Sequence, residues 1–125
     1  MSLDLTALSD VDLAALSLLG REAAFTEIVR RHRSLLCRLI VGNIGDADEV
    51  LDLVQETFVS AHGALKRYDP GRPMKAWLAV IAINKCRDWR RRNIVRRILS
   101  FALPSIAATE AVADKRPGPD IELWY

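Results

Sequence analysis

Between Tyr68 and Pro73 the chain reads YDPGRP, and no helix can run through it. Two prolines and a glycine within four residues remove backbone donors and clash with the preceding turn. On both sides of this break, apolar residues recur three and four apart, the period of an α-helix. Downstream, the helix starting near Pro73 opens with apolar and aromatic residues (AWLAVIAIN) and ends densely basic (KCRDWRRRN). Upstream, Asp46 to Gln55 carries a separate acidic run. The chain must therefore be several helices joined by turns, with charge of opposite sign on two of them.

At 125 residues the sequence is long enough for one domain, and a domain of that size buries roughly two thirds of its unfolded surface. Half of the residues are hydrophobic and only 6% aromatic. That composition, rich in Leu, Ala, Ile and Arg, favours an all-α fold, a compact bundle of about four helices. Ser9 suits an N-cap, with Asp10 and Asp12 in the first turn of a short helix ending near Gly20. A second helix is expected from Arg21 to Val41, closed by Gly42-Asn43, with Phe25, Ile28, Leu36, Leu39 and Ile40 turned inward. A third starts around Asp46 and runs to Lys66, with Leu51, Val54, Phe58, Ala61 and Leu65 as its core stripe. The fourth follows Pro73, buries Trp77, Leu78, Ile81 and Ala82, and is expected to fray between Arg92 and Leu99. Residues 1–100 are read as the folded domain, and residues 101–125, proline-punctuated and polar, as a flexible linker.

Several function classes are excluded. The N-terminus MSLDLTALSD has neither the basic nor the apolar region of a secretory signal. The longest apolar run, Leu35 to Val41, is interrupted by Arg38, whereas a membrane span needs ~18 residues. No membrane insertion is expected, and the compartment is read as cytoplasmic. Cys37 and Cys86 form no CxxC, and with His32 and His62 they give no zinc spacing. There is no glycine-rich phosphate loop, HExxH, or nucleophile motif. The reading is a non-enzyme with no metal and no cofactor.

Two charged features remain. Asp48, Asp52, Gln55 and Glu56 sit three or four apart on the acidic helix and share one exposed strip. Such a strip is either a solvated face with acids near the helix start or a surface for a basic protein partner. From Lys85 to Arg97, seven bases are opposed by Asp88 alone. Complementing the helix dipole accounts for two or three of them, and the remainder suit phosphate. Around the break, Tyr68, Trp77, Asn84 and Trp89 could stack on or read an unpaired base. Trp77, on the apolar side, is better read as ordinary core, and Asn84 could instead bond to the neighbouring loop.

DLVQETF at Asp52–Phe58, RYDPGRP at Arg67–Pro73, AWLAVIAIN at Ala76–Asn84 and DWRRR at Asp88–Arg92 follow one another as in region two of bacterial sigma factors. The series most resembles the extracytoplasmic-function group and covers about Ser9 to Arg97. This resemblance implies a domain that docks on the clamp helices of the RNA polymerase β′ subunit and recognises and melts the promoter −10 element. It places Asp52, Gln55 and Glu56, with Asp48 on the same strip, against polymerase. It makes Tyr68 to Met74, including Arg72, the loop that cradles an unstacked non-template base, with Lys75 at the start of the next helix. Lys75, Asn84, Lys85, Arg87, Arg90, Arg91 and Arg92 are then expected against promoter DNA. An anti-sigma factor is a further expected partner.

The sequence departs from the family pattern at several places. Met74 stands where Phe is usual, His62 where Trp is usual, and Ala79-Val80 where Tyr-Arg is common. Such factors continue through a linker into a helix-turn-helix domain, so this chain is expected to be a portion of a longer factor. A reading from another class is a truncated sigma-like interaction module that titrates polymerase or an anti-sigma factor.

Overall fold

The computed structural model describes residues 3–102, and four α-helices make up most of them. A 3-10 turn at Leu5–Ala7 precedes α1 (Asp10–Leu18), α2 (Glu22–Ile44) and α3 (Ala47–Gly63). A second 3-10 turn, Leu65–Arg67, leads through the Tyr68–Pro73 break into α4 (Met74–Ala102). No strand occurs among the described residues. The expected linker lies outside them except for Phe101 and Ala102, which close α4.

Local chemistry explains where the helices begin. The Ser9 hydroxyl accepts from the Asp12 amide at 3.1 Å, and the Asp46 carboxylate accepts from the Asp48 amide at 3.1 Å. Each satisfies a donor that the first helical turn would leave bare. Pro73 stands at the cap of α4, its carbonyl accepting from Ala76 and Trp77. A helix cannot easily continue back past proline, so the break and the helix start are one feature.

Helix ends differ from expectation at three places. Gly42 does not close α2, which continues to Ile44 and stops at Gly45, where φ is +67°. Only glycine takes that left-handed cap cheaply. The third helix ends at Gly63 rather than Lys66, the chain tightening into the 3-10 turn. α4 does not fray after Arg92 but remains helical to Ala102. Arg91 to Ala102 contains neither proline nor glycine, so nothing in its backbone chemistry ends the helix sooner.

α2 is the centre of the bundle and packs against α1, α3 and α4, while α3 also packs against α4. Leu13, Leu36, Ile40, Leu78, Ala82 and Cys86 have no exposed surface. Sealing a Leu or Ile side chain from water contributes ~1.5–3 kcal/mol, so this apolar seam is the main stabilising element. On α3 the buried face is Val50, Leu53, Val54, Thr57, Phe58 and Ala61. Leu51, expected in the core, is instead 60% exposed. In the run VLDLV either Leu51 or the Val50/Leu53 pair could lead the stripe, and packing against α2 selects the pair. Thr57 is tolerated inside because its hydroxyl donates to the Leu53 carbonyl at 2.7 Å.

Candidate functional site

Two exposed faces on the mutually packed helices α3 and α4 carry part of the predicted site residues. On α3, Asp48, Asp52 and Gln55 are exposed, and Glu56 is half-buried at the edge of the same strip. Leu51, 60% exposed, flanks the strip beside Asp48 and Gln55, and Val59, 40% exposed, follows one turn beyond Gln55. The acidic strip is therefore bordered by an exposed apolar residue, Leu51, that was expected in the core. Exposed apolar groups beside polar ones suit a contact surface.

The loop before α4 is closed by its own hydrogen bonds. The Tyr68 hydroxyl donates to the Arg72 carbonyl at 2.6 Å. Asp69 accepts from the Gly71 amide at 2.9 Å through its side chain, and from the Arg72 amide at 3.0 Å through its carbonyl. A β-carbon at Gly71 would stand 3.2 Å from the Asp69 carboxylate, so the tight turn favours glycine there. Tyr68 itself is 8% exposed, with its ring centroid 5.1 Å from that of Trp77. Burial raises the phenol above its ordinary pKa, and the negative charges of Asp10 and Asp69 add to the effect. Tyr68, expected to meet DNA, is thus an anchor turned inward. The residues its loop presents outward include Asp69, Pro70 and Arg72.

Along α4 the exposed residues Val80, Asn84, Arg87 and Arg91 fall on one line, because steps of three and four keep to one helical face. Asn84 and Arg91 are separated by about 10 Å along the axis at 1.5 Å per residue. Lys75 is exposed at the start of the same helix, and Arg72 in the loop before it. The other bases divide. Arg90 is half-buried and donates to the Asn43 carbonyl at 3.2 Å, in the last turn of α2. Arg92 is also half-buried.

Lys85 departs most from expectation: it is 1% exposed, inside the bundle rather than on its basic surface. Burial lowers its pKa to about 8, against the pull of Glu56 and Asp88 and with a further push from Arg92. In this conformation it is in no position to contact a phosphate. Its sequence position, between Asn84 and Arg87, gave no sign of this because helical rotation carries it 100° off the exposed line. Trp77 and Trp89 are half-buried against the core. His62 is exposed, with its ring 4.8 Å edge-on from Phe25. Among the described residues no group of His, Cys, Asp and Glu could hold a metal, and no helix is long and apolar enough to cross a membrane.

Comparison with known proteins agrees with this geometry. Residues 28–94, more than half of the chain, match the Sigma-70 region 2 family. The RNA polymerase sigma factor CnrH of Cupriavidus metallidurans is 39% identical over 114 residues, covering 90% of this chain and 60% of that protein. NccH of Alcaligenes xylosoxydans xylosoxydans, also an RNA polymerase sigma factor, is 35% identical, covering 91% and 60%. The ECF RNA polymerase sigma factor SigM of Mycobacterium tuberculosis is 31% identical, covering 67% and 43%. The chain thus spans about 60% of the length of CnrH and NccH. The NMR structure of an engineered region 2 of sigmaE in complex with GTAAAA superposes with a TM-score of 0.65 at 28% identity, covering 77% of this chain and 96% of that one. The family consists of transcription initiation factors rather than enzymes. A four-helix bundle with this ordered motif series and this match belongs to the sigma-70 region 2 family, as the region 2 domain of an extracytoplasmic-function RNA polymerase sigma factor.

Proposed function

We propose that the domain docks on the clamp helices of the polymerase β′ subunit through α3, and that α4 with its preceding loop recognises and melts the promoter −10 element. The observation that carries this reading is the placement of a self-closed loop directly before a single exposed line of Asn84, Arg87 and Arg91. A base leaving its stack costs a few kcal/mol, and a preformed loop limits the further cost of ordering its receptor. Since Tyr68 is buried, the base would meet the outer loop residues and Asn84, while Arg87 and Arg91 meet the backbone. The engineered sigmaE region 2 solved with GTAAAA supports a nucleic-acid role for the domain. On α3, Leu51 would supply the apolar anchor and Asp48, Asp52, Gln55 and Glu56 its polar surround. A domain working with polymerase belongs in the cytoplasm, and residues 101–125 would lead towards a second domain.

A specific observation favours a second reading, a protein-interaction module that titrates polymerase or an anti-sigma factor. Ile94, Val95, Ile98 and Phe101 expose between 49% and 95% of their surface along the end of α4, and exposed apolar rows of this kind mark protein contacts. The deciding experiment is co-purification with core polymerase, followed by opening of a fork-junction promoter template with a second domain restored. Binding with opening upholds initiation. Binding without opening, on any −10 sequence, favours titration.

A further inference from the structure

The segment before α2 lies outside the family match, which begins at residue 28, yet it is fastened to α2 by a cluster of side-chain contacts. Arg31 uses all three of its guanidinium nitrogens. Nε donates to Glu27 Oε2 at 2.9 Å, and Nη1 donates to Asp10 Oδ1 at 3.3 Å. Nη2 donates to the carbonyls of Leu5 at 3.2 Å and Thr6 at 3.1 Å. Glu27 is held from its other side by Arg30 in a two-pronged pair at 2.8 and 2.7 Å. The second oxygen of Asp10 meets His32 Nε2 at 3.0 Å. The Glu27 contacts, at 2.7 to 2.9 Å, have the short geometry of charge-assisted bonds, and a planar guanidinium fixes direction as well as distance.

This clasp points at the loop. α1 packs on the Leu65–Arg67 turn that leads into it, and Leu13, Ala14 and Tyr68 share one buried cluster. Asp10 lies near enough to Tyr68 for its charge to act on the phenol. Tyr68 in turn holds the Arg72 carbonyl. A chain of contacts therefore runs from Arg31 and His32 through Asp10 and α1 to the residue that closes the loop. We propose that Asp10 is a positioning residue: by locking α1 onto α2 it braces the Tyr68–Met74 loop in its closed form, so that the N-terminal segment is a working part of the nucleic-acid-reading unit. The consequence for promoter reading rests on the function proposed above. The brace itself does not.

The test compares Asp10→Asn with Asp12→Asn in the 125-residue chain. Both remove one carboxylate charge from the first turn of α1, but only Asp10 contacts Arg31 and His32. Amide hydrogen exchange at Tyr68, Gly71 and Arg72 is expected to be at least fivefold faster in Asp10→Asn and unchanged in Asp12→Asn, with partial recovery in Asp10→Glu. His32→Ala, which removes one of the two contacts, is expected to shift the same amides less, and it serves if Asp10→Asn does not fold. Equal exchange in the Asp10 and Asp12 variants overturns the brace. The second readout is a −10 base-preference profile of the polymerase complex, expected to flatten in Asp10→Asn while polymerase affinity stays within twofold. Faster exchange with an unchanged profile upholds the brace and overturns the loop's part in base reading.

Discussion

The Tyr68 hydroxyl closes onto the Arg72 carbonyl at 2.6 Å, so the aromatic residue at the start of the loop fixes the backbone at its far end. Tyr68→Phe keeps the ring beside Trp77 and removes only this bond. The loss of one such bond should lower stability by about 0.5–1.5 kcal/mol in urea unfolding. Promoter opening should fall further than stability accounts for, while affinity for core polymerase is unchanged.

Leu51 stands in solvent next to Asp52, where truncation leaves no cavity. Leu51→Ala should change unfolding stability by less than about 0.5 kcal/mol and weaken polymerase binding by about tenfold, as apolar interface anchors do. Asp52→Arg with Glu56→Arg should likewise keep the helical circular dichroism while losing most affinity. Unchanged binding in both variants would leave α3 as an ordinary solvated face.

The arginines of α4 should separate by exposure. Arg87→Ala and Arg91→Ala should each reduce the salt slope of DNA binding by about 0.9, the signature of one lost phosphate contact. Arg90→Ala should change that slope less and should lower stability, because its guanidinium satisfies a carbonyl at the end of α2. Titration of binding against salt, on the polymerase complex, distinguishes the two behaviours.

Glu27 gives a pH dependence of defined sign. Hydrogen bonds from Arg30 and then Arg31 lower its carboxyl from 4.5 to about 2. The unfolded chain therefore takes up this proton first as pH falls, and stability drops with it. The contribution is fully present above about pH 4.5 and is lost as pH approaches 2. Thermal unfolding of the parent and Glu27→Gln should differ most near neutral pH and converge across that window.

Much of this architecture is legible along the chain. Ser9 and Asp46 announce helix starts because a short side chain at the cap bonds only to nearby amides. Pro70, Gly71 and Pro73 announce the break because their restriction is intrinsic to the backbone. Less legible are the helix ends. Gly42 and Gly45 are alike in sequence, and only the course of the chain into α3 decides which takes the positive φ. Leu51 and Val50 were likewise exchangeable until α2 covered one side of α3.

Features with a period of a few residues were set along the chain: four helices, the starts of α1 and α3 at Ser9 and Asp46, the loop between α3 and α4, and the order of motifs that marks the family. Tertiary structure alone decided which polar residues face water. It drew Lys85 inside, tied Arg90 to Asn43, turned Tyr68 into an anchor and assembled the Arg31–Asp10 clasp across residues 21 positions apart. The physical reason is that local bonding depends on near neighbours, whereas exposure depends on which distant helix happens to lie on top. A basic run written along one helix becomes a surface only after packing has removed the members that rotate into the core.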